Sequence, residues 1–279
     1  MRQIESAQEF LDVVGDALLV DEIRYGMPFG IAERAVQDPH FYGPVDPWFL
    51  LIEESRNVLA TAIRTPPLQI ILSHLAGDPA LIAAELARSI YTVTPTLPGA
   101  VGDHAIVDAF AQQWADLSGQ QVVDVMAQRI YQLTEVIDPN FADGRLRQAT
   151  LADSDQVIAW AAAFHHEAVG DELSANHQQR YRDRIQTGDI YLWDHDGPVS
   201  MAARLRPTDR GVSIGSVYTP PEQRNHGYAS SCVAALCQRL LGDYDYCVLY
   251  TDLSNPVSNS IYQRIGFKPH CDSVQYTFG

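Results

Sequence analysis

The sequence is short of basic residues: 19 Lys and Arg stand against 35 Asp and Glu, which gives a net charge of -16. A nucleic-acid-binding protein needs a basic face, and an anionic membrane surface attracts basic segments, so this balance argues against both kinds of partner. Residues 1–140 hold most of the negative charge, with seven basic and 19 acidic side chains. Such a field attracts small cationic substrates, although an acidic surface also serves solubility alone.

Cysteines and long apolar runs are equally scarce. The cysteines are Cys232, Cys237, Cys247 and Cys271, and none forms a CxxC pair, so buried free thiols are expected rather than a metal site. No run of about 18 apolar residues is present, which argues against a membrane span. The first residues lack the apolar region of a secretion signal, and we therefore expect a cytoplasmic protein.

What is present is a globular composition, with 46% hydrophobic residues in 279. This length predicts one large domain or two small ones. The best boundary is the turn-rich segment 138–144, near the midpoint, which predicts domains at 1–140 and 141–279.

The second half reads as a regular series of elements in the order β-α-α-β-β-β-α-β-α-β. Thr150 and Asp153 match a capping box, Gly188 matches a helix end, and Asn255-Pro256 matches a helix start. The first half again has a strand triplet followed by two helices and further strands, which predicts a diverged internal duplication. The predicted strands are 49–53, 58–64, 68–73, 122–126, 129–134, 145–149, 190–193, 199–205, 212–219, 247–253 and 274–278; the predicted helices are 10–22, 79–91, 103–117, 150–167, 174–188, 227–241 and 256–265.

The sharpest motif is the loop Arg224-Asn225-His226-Gly227-Tyr228-Ala229, between a predicted strand and a predicted helix. The free N–H groups of a helix start and the helix dipole favour an anion, and Arg224 adds positive charge. A pyrophosphate is the ligand that fits this pattern. No Gly-Lys-Ser/Thr follows, which excludes a Walker A loop, and the antiparallel strands ahead disfavour a dinucleotide-binding loop. A plain glycine-containing helix cap is the alternative.

Two segments together resemble the GNAT superfamily of acyl-CoA-dependent N-acyltransferases. Val217–Ala229 resembles its Arg-x-x-Gly-x-Gly/Ala signature, and Leu249–Phe267 resembles its Asn…Tyr-x-x-x-Gly-Phe segment, with Asn255 seven residues before Tyr262. The resemblance covers about residues 145–279. The first half resembles the fold only and lacks the phosphate loop.

The resemblance implies an α/β (α+β) fold of two GNAT-like domains, each a mixed, mostly antiparallel twisted sheet flanked by helices. Domain 1–140 would be degenerate, and domain 141–279 would bind acetyl-CoA as co-substrate, without a metal. Tyr262 would protonate the leaving thiolate, and its alternative role is a core tyrosine. The cofactor-binding residues that it implies are Val217, Tyr218, Thr219, Arg224, Asn225, His226, Gly227, Tyr228, Ala229, Ser230, Asn255 and Ser258.

Within that reading, an amine attacks the thioester directly, so positioning and N–H donors for the carbonyl oxygen are the main requirements. The amine must also lose a proton. Glu167 is the preferred general base, with an exposed helix end as its alternative role. Further candidates for the base are His165, His166, Glu172 and Asp252.

The sequence therefore predicts an N-acetyltransferase whose acceptor is a small primary amine, in the first instance a cationic one. The N-terminal half would shape the acceptor pocket or form an oligomer contact, such as that of a homodimer. Two alternatives stay open: a non-catalytic acyl-CoA-binding or regulatory protein, and an enzyme that acts on a protein or peptide amine.

Overall fold

A computed structural model describes residues 1–137, 141–169 and 172–279. They form two compact units. The chain passes between the units more than once, so no single cut separates them. The predicted boundary segment lies partly outside the described residues, and the division at residue 140 stays a prediction. The first unit comprises Met1–Ile130, Thr251–Asn255 and His270–Gly279, and the second comprises Tyr131–Tyr250 and Pro256–Pro269.

The first unit carries strands β1 (Arg2–Ile4), β2 (Trp48–Glu54), β3 (Asn57–Arg64), β4 (Ile70–His74) and β5 (Gly99–Gly102), and helices α1 (Ala7–Leu19), α2 (Glu22–Gln37), α3 (Pro79–Val93) and α4 (His104–Ser118). Strand β6 (Val122–Leu133) begins in this unit. The C-terminal strand β12 (Lys268–Phe278) completes its sheet, in the order β1-β2-β3-β4-β5-β12. The paired neighbours are antiparallel except β4 and β5, which are parallel.

Helices cover both faces of this sheet because alternate strand residues point to opposite sides. Phe10 and Val14 of α1 pack on one face against Phe49 of β2. Helices α3 and α4 cover the other face, where Trp114 is fully buried and stacks on Phe110 at 5.6 Å between ring centroids. The starts of α1 and α3 are capped by the side chains of Ser6 and Asp78.

The second unit carries strands β7 (Arg145–Gln148), β8 (Ile190–Asp194), β9 (Pro198–Leu205), β10 (Gly211–Tyr218) and β11 (Tyr246–Asp252), and helices α5 (Ser154–Val169), α6 (Ala175–Gln186), α7 (Tyr228–Leu240) and α8 (Pro256–Ile265). Its strands follow the order β11-β10-β9-β8-β7. They are antiparallel except β10 and β11, which are parallel.

Two cores also lie on either side of this second sheet. Helix α7 packs on the face that Cys247 and Leu249 of β11 line, and Cys232 and Cys237 of that helix are fully buried as free thiols. Helices α5 and α6 cover the opposite face over β8, β9 and β10, with Met201 at its centre.

The predicted fold class and the element order of the second half are confirmed, and the first unit has the same order from β1 to β6. The structure corrects four expectations in the first half. The strands expected at 122–126 and 129–134 form one strand, β6, from Val122 to Leu133, and the three-residue strand β1 was not expected. The helix expected at 10–22 ends at Leu19, and a second helix, α2, follows. Strand β5 was not expected, because four residues are too few to show an alternating pattern.

The described helices are short, and α2 and α5 have 16 residues each. None of the helices in the described part of the chain is both long and apolar enough to cross a membrane.

Candidate functional site

The turn between β10 and α7 has the backbone conformation that its glycine predicts. After a 3-10 turn at Pro221–Gln223, Asn225 has φ +67° and Gly227 has φ +78°. Gly227 takes the N-cap position of α7, with no side chain bonded to the helix start. Residues with a side chain adopt this left-handed region at a cost, so glycine is favoured here.

This turn presents unpaired backbone donors. Among the described residues, the N–H groups of six consecutive positions have no hydrogen-bond partner, and the first bonded amide is that of Ser231, which donates to Gly227. A Cβ added at Gly227 would meet one neighbouring atom within 4 Å, the Ala142 Cβ at 3.8 Å, which is an ordinary contact. Free amides at the positive end of a helix suit a phosphate or diphosphate. The six positions are Asn225, His226, Gly227, Tyr228, Ala229 and Ser230.

Strand β10 parts from β11 just before this turn. Their parallel register runs from Gly211–Tyr246 to Ile214–Leu249 and ends there, four residues before the end of β10. A bulge follows between Gly215 and Tyr218, with Ser216 at φ +49°. Bulges bend a strand and raise its twist, which separates its edge from the neighbouring strand. The predicted path for a pantetheine arm along β10 therefore begins where the ladder ends.

Four predicted site residues meet at the end of β10. Arg224 binds both carboxylate oxygens of Glu167 at 2.9 and 2.8 Å, and its Nε donates to the Thr219 carbonyl at 2.9 Å. The Tyr218 hydroxyl donates to the same carboxylate at 3.2 Å. Burial raises the pKa of Tyr218, and the negative charge of Glu167 raises it further. The proposed base and the proposed phosphate ligand are thus joined in one ion pair.

The neighbouring residues hold this strand end in place. Thr219 Oγ1 donates to Ser200 Oγ at 2.9 Å, and Ser200 donates to the Tyr218 carbonyl at 3.1 Å. Val217 packs into the core beneath α7. The His226 ring stacks on Tyr228 with centroids 5.4 Å apart. Sequence reasoning did not find Ser200, because a serine inside an apolar strand carries no motif.

Tyr262 lies on α8, with its ring edge-on to Phe267 at 5.9 Å. Its hydroxyl has no hydrogen-bond partner among the residues that the structure describes. Burial raises the pKa of Tyr262 to about 12, with a smaller contribution from Cys237. A phenol with such a pKa keeps its proton near neutral pH, which a general acid requires.

The remaining predicted residues are spread over both units. Ser258 lies on α8 in the second unit, whereas Asn255 is the last residue of a segment assigned to the first unit. Asp252 accepts from both the N–H and the hydroxyl of Ser254 at 2.7 Å, so it closes a turn. The roles of Asn255 and Ser258 in cofactor binding stay predictions.

The other candidates for the base lie at or after the end of α5. Glu172 is exposed. The His165 ring lies 5.8 Å from that of His177, and His166 is exposed on the same helix. In the described residues no group of three or more His, Cys, Asp and Glu side chains could hold a metal ion. Of the candidates for the base, Glu167 is thus the one that contacts the strand end.

The equivalent turn of the first unit is closed. It joins β4 to α3, and Asp78 Oδ1 accepts from the Ala80 N–H at 2.9 Å. Pro79, the first residue of α3, has no N–H to offer. A carboxylate of the chain thus stands where an anion would bind, so this turn is not built for a phosphate.

Comparisons with known proteins agree with the motifs. Residues 194–275 match the family model of the FR47-like proteins. None of the curated proteins compared with the chain matches it.

Among solved structures, an acetyltransferase of the GNAT family from Colwellia psychrerythraea shares 15% identity, covers 100% of this chain and 99% of its own, and has a TM-score of 0.56. A Drosophila protein shares 13% identity over 99% and 97% of the two chains, with a TM-score of 0.71. A GCN5-related N-acetyltransferase from Sphaerobacter thermophilus shares 15% identity over 88% and 84%, with a TM-score of 0.58. The resemblance to the GNAT superfamily is confirmed, and this similarity is one of fold.

Proposed function

We propose that this chain, with a GNAT fold and an FR47-like segment, transfers an acetyl group from acetyl-CoA to the primary amine of a small molecule. The observation that carries the proposal is the turn at 225–230, where six consecutive N–H groups have no hydrogen-bond partner among the described residues. No carboxylate among the described residues caps that turn, whereas Asp78 caps the equivalent turn of the first unit. The donor set therefore fits the diphosphate of coenzyme A.

Coenzyme A would supply the acyl group as a thioester; the chain's own residues bind, orient and move protons. The amides of Asn225 through Ser230 would hold the diphosphate. The end of β10, beyond its ladder with β11, would receive the extended arm as an added strand. Backbone N–H groups near Tyr218 and Thr219 would face the carbonyl oxygen, where negative charge develops.

Tyr262 is proposed as the general acid, because its hydroxyl is protonated and has no hydrogen-bond partner among the described residues. Glu167 is proposed as the base. Its carboxylate accepts from Arg224 and Tyr218, so it is occupied until Arg224 turns to a bound phosphate. Binding of the anion and release of the base would then be linked through one arginine.

The acceptor is proposed from the charge of the chain. A net charge of -16 attracts an ammonium group, and most small primary amines carry one near neutral pH. If the chain only binds coenzyme A, the hydroxyl of Tyr262 has no catalytic role. The substitution Tyr262→Phe tests this alternative.

The substitution Gly227→Glu tests the phosphate turn. It adds bulk and a negative charge in front of the six amides, and we expect coenzyme A binding to be abolished in isothermal calorimetry of the full chain. The backbone strain of a non-glycine residue at this φ is about 1 kcal/mol, too small to unfold the domain.

Gly119→Glu is the matched control. Gly119 also has φ +78°, ends α4 of the first unit, and has no neighbour within 4 Å of an added side chain. It introduces the same residue at the same strain and should leave the affinity unchanged. Unchanged affinity in Gly227→Glu would overturn the assignment of the turn.

A further inference from the structure

Arg206 in the second unit has no partner for its charge. It follows β9, and among the described residues its guanidinium makes no ion pair and no hydrogen bond. Its neighbours along the chain are paired: Arg204 bonds Asp189 at 2.7 Å and Arg210 bonds Asp245 at 3.1 Å. An arginine without a carboxylate partner can offer its charge and its N–H donors to the anion of a ligand.

The surroundings of Arg206 differ from one part of its side chain to another. Arg206 has φ +41°, a left-handed conformation that an arginine rarely adopts. Its Nε is buried without a partner, and the guanidinium carbon lies 5.9 Å from the centre of the Tyr250 ring. The terminal nitrogens are not among the buried unpaired atoms, so they stay accessible. A fixed fork of two accessible N–H donors is the arrangement that binds a carboxylate.

Tyr250 places this arginine beside the parted strands. It follows Leu249, the last residue of β11 in register with β10. Cys247 and Leu249 point to the face covered by α7, so Tyr250 points to the opposite face of the sheet. The bulge also turns Ser216 to that face, where its hydroxyl lies 3.0 Å from that of Tyr181 on α6. The Arg206 backbone follows Leu205, which pairs with Ser213 inside the ladder. Its guanidinium, beside Tyr250, lies one residue beyond the last paired residue of β11, on the face away from the helix of the phosphate turn.

We propose that Arg206 binds a carboxylate of the acceptor, so that the amine acetylated by this protein belongs to an amino-acid-like molecule. This inference rests on the proposed function and names its substrate class. The acceptor's ammonium group suits the acidic chain as a whole, while its carboxylate needs a local cation, which Arg206 provides. Arg206 acts on specificity and takes no part in proton transfer.

The test compares acceptors that differ only in the carboxylate: L-phenylalanine with phenethylamine and phenylalaninamide, and L-lysine with cadaverine. Thiol release from acetyl-CoA gives kcat and KM for the full chain. We expect the acids to be preferred, and Arg206→Gln to lower their kcat/KM by about tenfold to a hundredfold, mainly through KM. The same variant should leave the amines without a carboxylate unchanged, and Arg206→Lys should retain part of the preference.

Arg64→Gln is the matched control, because Arg64 in the first unit also has a buried, unpaired Nε and no ion pair among the described residues. It should leave every acceptor unaffected. An equal loss for acids and amines in Arg206→Gln, or no loss for either, would overturn the proposal while the acetyltransferase activity stands.

Coenzyme A calorimetry on the same preparations separates the two proposals. Should coenzyme A not bind, the proposed function fails, and binding of L-phenylalanine measured by saturation-transfer NMR decides the carboxylate site. Binding weakened by Arg206→Gln and kept by Arg64→Gln would support it; binding equal in all three proteins would overturn it.

Discussion

At the scale of single residues, Tyr262 is the group whose chemistry the structure defines most closely. Removing its hydroxyl in Tyr262→Phe keeps the ring contact with Phe267 and takes away the proton. We expect kcat to fall by about 10²- to 10⁴-fold, the usual contribution of a general acid, with coenzyme A affinity unchanged. Steady-state kinetics and calorimetry measure the two quantities.

The pH dependence follows from the same group. Its pKa is raised to about 12, so the phenol stays protonated at lower pH and the rate should not fall on its account between about pH 7 and 10. Tyr276→Phe is the control, since burial raises the pKa of Tyr276 to about 12 as well, and its hydroxyl bonds Asp108 in the first unit. A full rate in Tyr262→Phe would overturn Tyr262 as the general acid. Equal background rates in both proteins, despite tight coenzyme A binding, would leave the chain as a binding protein.

Some residues of the candidate site can be predicted from the sequence and others cannot, and the difference has a physical reason. Gly227 and Arg224 lie within one turn, so the spacing of a motif displays them. The pairing of Arg224 with Glu167 joins residues 57 positions apart and depends on how α5 packs on β10. Arg206 belongs to no sequence motif. It was singled out because no described residue pairs with its guanidinium, and this can be seen only in the folded chain.

At the scale of elements, the start of α5 depends on one carboxylate. Asp153 accepts from Arg147 at 2.8 Å and from the Thr150 N–H at 2.8 Å, and its side chain is only 12% exposed. The bonds to Arg147, followed by those to Thr150, hold the pKa of Asp153 well below its usual range. We expect Asp153→Asn to lower the free energy of unfolding by about 1–3 kcal/mol at neutral pH.

The lowered pKa of Asp153 determines how its contribution to the free energy of unfolding changes with pH. The stabilisation is complete above about pH 4, the value in the unfolded chain, and is lost as the pH falls further. Urea unfolding should therefore show a difference between wild type and Asp153→Asn that shrinks from pH 7 toward pH 3. Asp116→Asn, at an exposed position of α4, is expected to show no difference at either pH. A constant difference would contradict the linkage.

Elements with strong local signals were predictable, and those without them were not. The capping box of Thr150 and Asp153 was read from four residues and is present. Helix α2 contains Gly26, Pro28 and Gly30, which weaken a helical pattern, so its stability must come from packing. The order of strands within each sheet depends on such tertiary contacts as well.

At the scale of the whole molecule, the first unit includes the C-terminal strand β12, so it is not a continuous stretch of the chain. Val274 and Phe278 of β12 are buried in the core of the first unit, and Val274–Thr277 pair with β5. A fragment of residues 1–140 lacks this strand. We expect it to show no cooperative thermal unfolding, and a peptide of residues 268–279 to restore one, as followed by circular dichroism.

The same peptide with Val274→Asp and Phe278→Asp is the control, since it keeps the backbone and removes the apolar contacts. Cooperative unfolding of the fragment by itself would show that residues 1–140 form an autonomous domain, as the sequence predicts. The alternation of β12 identifies it as a strand, but a repeat of two residues cannot tell which sheet it joins.

The closed turn of Asp78 and Pro79 has a thermodynamic consequence. The first unit satisfies the start of α3 from within, so a nucleotide adds nothing there, whereas α7 gains bonds when an anion arrives. A ligand that binds only the folded form of one unit raises the stability of that unit alone. The stability of the second unit would then grow with the logarithm of the coenzyme A concentration, while the bonds that start α3 would stay unchanged.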